Sequence, residues 1–509
     1  MPKKNFPPWF FYFALVTAFF WLSLGYWRYF DDDEFQHIHF AWLLSQGLVP
    51  FRDFFEHHIP FYHLLVSPLM HLPSGSYLIF IFRFLSLACA FGTLGLIFSY
   101  CRRQDGQWPA AGATLMLAWA PIFAIKMVEA RPEAPAILSF TLAAVTLLEN
   151  RGALSRARAF LVGFCLACTV LFSAKYLVVV FGLVLLVFLT EKFSTCLLTL
   201  AGAAAGCFPL LGYLAVTQSF SEFVQSVVVN NLFWKHSFSP QGYLFETFTQ
   251  SPALVGLAFG GLLGGLFFQK PERGLVTLAG AGGVFLAIFL LPEPYRQSFL
   301  PLFPLMALAG SFMLSLILSS LEPFGRKELA LSSLIFFGSL PGVVQLGKEF
   351  FQSNREDLET MRLVEKIDPS AGPVLDGRGL MFYRAHLGFH ACMHRGIMAM
   401  VDLEKYSAEV ITELEKRKFP VVIFDYRVKD LPVALQDFIK NHYLPVENTA
   451  VYVPGLNIDR SLLTLAGTEV SIPITGEYQI TWIGQGLAID HRAVENNSIL
   501  YLTEGNHHF

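Results

Sequence analysis

Apolar runs of about 20 residues recur along the first two thirds of the chain, and no other feature constrains its fold so strongly. A run of that length crosses roughly 30 Å of hydrocarbon as a helix whose backbone groups are all satisfied internally. The runs lie at residues 9–27, 77–99, 109–125, 133–149, 159–174, 176–190, 194–216, 251–268, 275–291, 298–319 and 329–346. They predict a polytopic α-helical membrane protein of about eleven transmembrane helices, several short enough to tilt, merge or re-enter. Charged residues make up only 15% of the 509 positions, where a soluble domain carries nearer a quarter. The formal net charge of −3 gives no reason to expect a nucleic-acid partner.

Lysine and arginine orient the spans. Lys3 and Lys4, Arg102 and Arg103, Arg151, Arg156 and Arg158, Lys192, Lys270 and Arg273, and Arg326 and Lys327 fall on one side when the runs alternate. The positive-inside rule makes that side cytoplasmic. The amino terminus is then inside, and the loop 28–76 and everything after 346 lie outside. No small-residue cleavage site follows the first run, so it reads as a span rather than a removed signal. Six of the seven cysteines sit in or beside apolar runs, which leaves Cys392 alone outside and implies no disulfide framework.

The texture changes at Gly347. Residues 347–460 read as an extracytoplasmic α/β region, with helices near 354–367, 405–418 and 432–441 and strands at 373–376 and 420–425. Residues 461–509 alternate apolar and polar positions and predict a small antiparallel β unit. Its Tyr478, Trp482 and Tyr501 offer either aromatic faces to sugars or core to a small sheet.

Chemistry concentrates in the first outer loop. Residues 31–40 read DDDEFQHIHF and residues 50–63 read PFRDFFEHHIPFYH, and six of the 14 histidines fall between positions 37 and 71. If 33–46 is helical, Asp33 and Glu34 each lie one turn from His37. Clustered carboxylates repel one another beside anionic headgroups, so the pattern points to a cation, a bound partner or a base. The interleaved Phe35, Phe40, Trp42, Phe51, Phe54 and Phe55 predict amphipathic helices lying in the interface plane.

Over residues 9–346 the chain resembles the C-class (GT-C) glycosyltransferases, multispan enzymes that take sugars from polyprenyl-phosphate carriers. Protein O-mannosyltransferases and lipid A aminoarabinose transferases are members. Asp33-Glu34 matches their acidic pair after the first span, and Glu56-His57-His58-Ile59-Pro60 matches the acidic-basic-proline stretch before the second. Glu129-Ala130-Arg131-Pro132-Glu133 resembles the family's Arg-Pro-acid turn, with Glu133 where Asp is more usual. Lys175 occupies an outer turn where many relatives place a lysine. Pro294-Tyr295-Arg296-Gln297 resembles the outer Tyr-rich turn. Glu133 also suits a plain helix start, and Lys175 and Arg296 also suit headgroup anchors.

The resemblance implies a GT-C-like catalytic domain over residues 1–346, including the outer loop 28–76. It also implies transfer of a hexosyl or pentosyl group from a polyprenyl-phosphate-linked sugar to a glycan, lipid or protein, with inversion. Asp33 is the expected base, with Glu34 and Glu56 positioning the acceptor or sharing a cation. Arg131, Lys175 and Arg296, with Tyr295, His57 and His58, are expected to bind the substrate and lipid phosphate. Asp33, Glu56 and His57 are the candidate ligands of a divalent cation, Mg, Mn or Zn, and a metal-free site stays open. The location implied is a bacterial plasma membrane. A transporter or flippase is the rival class, but transporters carry ionisable residues near the bilayer midplane, whereas here nearly all the charges sit at span ends.

Overall fold

A computed structural model describes residues 8–73, 75–149, 154–233, 240–269, 271–290, 295–321, 327–388, 395–399, 401–417, 420–446, 448–456, 469–472, 476–480, 487–503 and 505–509. Pro294, Cys392 and Trp482, singled out above, lie outside these residues. The chain begins with α1 (Pro8–Trp27), α2 (Asp32–Ser45) and α3 (Phe61–Val66). Then come α4 (Leu78–Gln104), α5 (Gln107–Ala118), α6 (Pro121–Val128), α7 (Glu133–Glu149), α8 (Arg156–Phe172), α9 (Leu177–Thr190) and α10 (Phe193–Thr217). Further long helices cover Pro252–Gly264, Pro271–Leu290, Leu302–Leu321 and Lys327–Phe350.

Among the described residues, five helices are long and apolar enough to cross a membrane, or up to seven if each of two bent pairs is one span. The run at 109–125 is such a pair. Pro121 removes an amide and starts a new helix, so α5 and α6 meet at 69°. The bend carries the end of α6, with Lys126 and Glu129, toward the loop between α1 and α4. The other bent pair joins the helix ending at Gln250 to the one starting at Pro252 at 97°.

Packing follows small residues and paired tryptophans. A Cβ on Gly163 of α8 would lie 1.8 Å from the Thr199 carbonyl oxygen, and one on Gly202 of α10 would lie 2.0 Å from that of Phe160. Only glycine permits that backbone approach, the usual means of joining helices in lipid. The Trp21 indole donates to the Ala118 carbonyl at 2.9 Å, and that of Trp119 donates to the Thr17 hydroxyl at 3.1 Å.

Helix α2 starts where its sequence says it should. Asp31 is the N-cap, accepting from the Asp33 amide at 3.1 Å, while Glu34 accepts from the Asp31 amide at 2.9 Å. This is a capping box, and three acids in the first turn suit the helix dipole. Helix α2 is enclosed over much of its length rather than open on one face. Its residues Glu34 to Ala41 are all buried, because the carboxyl-terminal region covers it. Phe35 stacks on Phe382 with ring centres 6.3 Å apart, and a His39 ring nitrogen meets the Phe382 carbonyl at 3.1 Å.

The covering region begins with the helix Arg355–Ile367. Its sheet has the order β1-β2-β4-β3, from β1 (Leu375–Asp376), β2 (Val422–Ile423), β3 (Tyr443–Pro445) and β4 (Val451–Pro454). Strands β1 and β2 are parallel, with Leu375 opposite Val422, and the other pairs are antiparallel. Helices Leu403–Lys416 and Val433–His442 pack on it through Tyr406, Val410, Leu435 and Ile439. The last residues pair as antiparallel ribbons, 469–472 with 505–508, 476–480 with 498–502 and 487–489 with 492–494. Tyr478 packs against their small core, and Tyr501 is exposed.

The two regions are stitched at the end of α1. The Tyr29 amide donates to the Gln352 carbonyl at 2.8 Å, and the Asn354 amide donates to that of Trp27 at 3.1 Å.

Candidate functional site

The four acids at positions 31–34 fall within about one helical turn, so each points a different way. Asp31 faces Lys126 at 3.1 Å and Arg131 at 3.5 Å. Asp32 faces the carboxyl-terminal region, with Arg378 at 2.7 Å and Arg427 at 3.0 Å. Asp33 faces Arg131 at 2.6 Å. Glu34 turns inward, where Arg83 holds both its oxygens at 2.7 and 2.5 Å and the Ala130 amide donates to it at 2.7 Å. Arg83 also donates to the carbonyls of Gly25, Arg28 and Tyr29 at the end of α1. Glu34 and Arg83 therefore form the joint between α1 and α2.

Arg131 is the centre of this charge cluster. Its guanidinium meets Asp33, Asp31, Glu129 at 3.7 Å and Glu133 at 3.2 Å. Lys175 continues the line, donating to Glu133 at 2.6 Å. In the other direction Lys126 joins Asp31 to Glu129 at 2.8 Å, Glu129 meets Arg28 at 3.1 Å, and Arg28 meets Glu349 at 3.3 Å. Arg28, Lys126, Gln250, Arg296 and Glu349 help line a cleft at that end. There Arg296 pairs with Glu246 at 2.9 Å. Tyr295 lies within electrostatic reach of Asp33 and Arg131, and burial pushes its phenol above the ordinary range.

Exposure sorts the expected residues. The Asp33 side chain is 32% exposed, whereas that of Glu34 is 0% exposed and Glu56 is also buried. Of the three expected acids, Asp33 is the one a substrate can touch. Among the cations, Arg131 is 3% exposed and ringed by carboxylates, which suits it to hold acids in place. Lys175 at 21% and Arg296 at 47% are accessible. Burial draws the Lys175 ammonium below its ordinary pKa, against the pull of Glu133.

A second cluster lies between α2 and α3. One Glu56 oxygen accepts from the His57 and His58 amides at 2.7 and 2.8 Å and meets the His58 ring nitrogen at 2.8 Å. Its other oxygen is buried with no hydrogen-bond partner among the described residues and faces His63 Nδ1 at 3.9 Å. The second nitrogen of His63 meets His37 at 2.9 Å. Burial, then the charge of Lys175, pushes His58 down to about 4, so its imidazole is neutral at physiological pH. Burial raises the Glu56 carboxyl. An orphaned carboxylate oxygen beside neutral imidazoles fits a divalent cation of the Zn or Mn kind better than Mg. The ligand atoms of Glu56, His57 and His58 lie within 4.8 Å of one another. Asp33, expected among the ligands, is engaged by Arg131 and stands outside this group.

The residues alone assign no role to Arg83, Lys126, Asp32 or His63, and they place His37 one turn from Asp33 and Glu34 without showing its contact with His63. A signal existed for Arg83, a lone charge inside an apolar run, since such a residue demands a partner.

No protein-family model matches the chain, and no curated protein matches its sequence. Solved structures do. ArnT from Cupriavidus metallidurans bound to undecaprenyl phosphate superposes with a TM-score of 0.64 at 13% identity, over 87% of this chain and 97% of that one. The Archaeoglobus fulgidus oligosaccharyltransferase in complex with Zn and sulfate gives 0.51 at 11% identity, over 87% and 73%. The arabinofuranosyltransferase AftD from Mycobacteria gives 0.50 at 13%, over 93% of this chain and 42% of its own length. All three are GT-C glycosyltransferases. The chain has the GT-C fold.

Proposed function

We propose that this chain is a membrane glycosyltransferase that moves a sugar from a polyprenyl-phosphate carrier to an acceptor hydroxyl on the outer face of its membrane. The observation that carries the reading is Asp33, an accessible carboxylate fixed by Arg131 beside an accessible lysine, on a fold shared with ArnT over 97% of that chain.

The acceptor hydroxyl loses its proton to Asp33 as it attacks the anomeric carbon. The carbon–oxygen bond to the carrier phosphate breaks with inversion, and the phosphate leaves with the bonding pair. Lys175 answers that charge, and binding the phosphate draws it from Glu133. Arg296 supplies a second cation, with Tyr295 beside the sugar. Arg131 holds Asp33 in one orientation, the positional precision on which a displacement depends. Glu34 keeps α2 in place from below. Glu56, His57 and His58 would hold a divalent cation, which would supply positive charge near the acceptor and carrier.

In this reading the spans number eleven, the amino terminus is cytoplasmic, and residues 347–460 and 461–509 are outside. The membrane is a bacterial plasma membrane. The clustering of charge in the first loop and its cover, away from the middle of the bundle, favours surface chemistry over transport.

The test is transfer by the purified wild type in nanodiscs, offered radiolabelled polyprenyl-phosphate sugars and a panel of glycan, lipid and peptide acceptors. Label leaving the carrier, with free polyprenyl phosphate appearing, is the expected outcome. Binding of polyprenyl phosphate at micromolar concentration without turnover of any offered sugar would contradict the enzyme reading.

A further inference from the structure

Asp32 lies between two residues of the charge cluster, yet its own partners come from the far end of the chain. Its Oδ1 accepts from Arg378 Nε at 2.7 Å. Its Oδ2 accepts from the Tyr426 hydroxyl, and Arg427 lies 3.0 Å from the same oxygen. Each of these residues sits in a loop just past the end of a parallel strand, Arg378 after β1 and Tyr426 and Arg427 after β2.

Those loops are built to hold their shape. The Asp376 carboxylate accepts from the amides of Arg378, Gly379 and Met381 at 3.1, 3.0 and 2.7 Å. Gly379 stands at a φ of 78°, a conformation that favours glycine. Asp425 accepts from the amides of Arg427 and Val428 at 2.8 and 3.0 Å and, across the strands, from that of Arg378 at 2.9 Å. The Arg378 fork is aimed from a third side, where Asp357 of the helix Arg355–Ile367 accepts at 2.7 and 3.3 Å. The guanidinium lies 5.6 Å from the centre of the Phe35 ring. Two carboxylates and a ring thus fix one arginine, and that arginine fixes the first turn of α2.

We propose that Arg378, backed by Arg427, is a positioning residue of the transfer reaction, acting through Asp32 to set the direction in which Asp33 points. The inference rests on the transferase reading above and deepens it, since it gives the outer region a part in the chemistry. Asp32 and Asp33 are consecutive in one helical turn, so a rotation of that turn moves both. Arg131 pulls Asp33 one way while Arg378 pulls Asp32 another, and the two ion pairs together define the turn's rotation. A displacement of about 1 Å at a reacting group is enough to cost about a hundredfold in rate. Lysine at 378 keeps the charge but cannot bridge Asp32 and Asp357 with a planar fork.

The experiment compares wild type, Arg378→Met, Arg378→Lys, Asp32→Asn and the double variant Asp32→Asn/Arg378→Met as full-length protein in nanodiscs. Two readouts are taken, steady-state transfer from a polyprenyl-phosphate sugar and hydrogen–deuterium exchange. Arg378→Met is expected to lower kcat at least tenfold while KM for the carrier moves less than twofold. Arg378→Lys should recover part of kcat, and the double variant should be no worse than the poorer single variant. Amide exchange over residues 32–36 should rise in Arg378→Met, with the helix Arg355–Ile367 unchanged. Exchange needs no turnover, so it tests the coupling even if the wild type transfers no sugar. Unchanged exchange over residues 32–36 overturns the proposal. So does an unchanged kcat, or a loss that falls on KM alone.

Discussion

Asp33 and Glu34 are neighbours in sequence and carry the same charge, yet each is paired with an arginine in a different physical setting. Glu34 and Arg83 meet in a buried joint whose remaining donors go to carbonyls at the end of α1 and just past it. Asp33 and Arg131 meet at the edge of an accessible cluster, with the acid one-third open. A closed pair of this kind holds two helices, whereas an open pair presents an acid. The difference teaches that role follows from what else each arginine touches, and the sequence shows neither arginine's neighbours.

Breaking the closed pair should have the largest effect on stability. Arg83→Met leaves Glu34 as an unpaired buried charge and frees three carbonyls, a change worth about 3–5 kcal/mol. Thermal unfolding in detergent should show a large loss, partly restored in Arg83→Met/Glu34→Met. A melt within a degree of wild type would place the joint elsewhere.

Loosening the open cluster should leave folding intact and weaken ligand binding. Lys175→Met is expected to reduce polyprenyl-phosphate affinity about tenfold, or about 1.4 kcal/mol, with the melt nearly unchanged. Equal affinity for wild type and variant would leave Lys175 as an interface anchor.

Acidification separates the cover from the cluster it covers. The stacked rings of His39 and His386 are 4.1 Å apart between α2 and the carboxyl-terminal region. Burial pushes His386 down to about 4 and His39 well below its ordinary range. Protons therefore bind the open form more tightly. The contribution of this contact is complete above the ordinary histidine pKa and is lost as pH falls from about 6.5 toward 4. Hydrogen exchange at pH 5 should rise over residues 36–42 and 380–388, and His386→Phe should lessen that rise. A flat pH response would remove the pair from the docking.

The smallest effect is expected far from both arginine pairs. Tyr501→Ala, at an exposed strand position, should change stability by less than about 0.5 kcal/mol and leave transfer alone. Loss of transfer there would instead give the terminal ribbons a part in binding the acceptor.

Much of this was legible from the residues. The first loop stood out because its acids and aromatics interrupt apolar runs. The helices at Arg355–Ile367, Leu403–Lys416 and Val433–His442 stand close to where their patterning put them. What the sequence hid was pairing over distance. Arg83 lies 49 positions from Glu34, and Arg378 lies 346 from Asp32, separations that no helical period reports. The four acids around Arg131 come from two separate stretches of chain, and the sequence does not show that they meet at one guanidinium. From the residues alone Glu56 suits either positioning the acceptor or holding a cation, and its burial beside histidines favours the second.

The most direct test of the account measures turnover and unfolding together for Asp33→Asn and Glu34→Gln. Asp33→Asn should retain the wild-type melt and lose at least a hundredfold in kcat, about 2.7 kcal/mol in the barrier. Glu34→Gln should unfold earlier, with any loss of turnover tracking the loss of folded protein. Near-wild-type turnover by Asp33→Asn, or a selective loss of turnover in Glu34→Gln at an unchanged melt, would contradict the account.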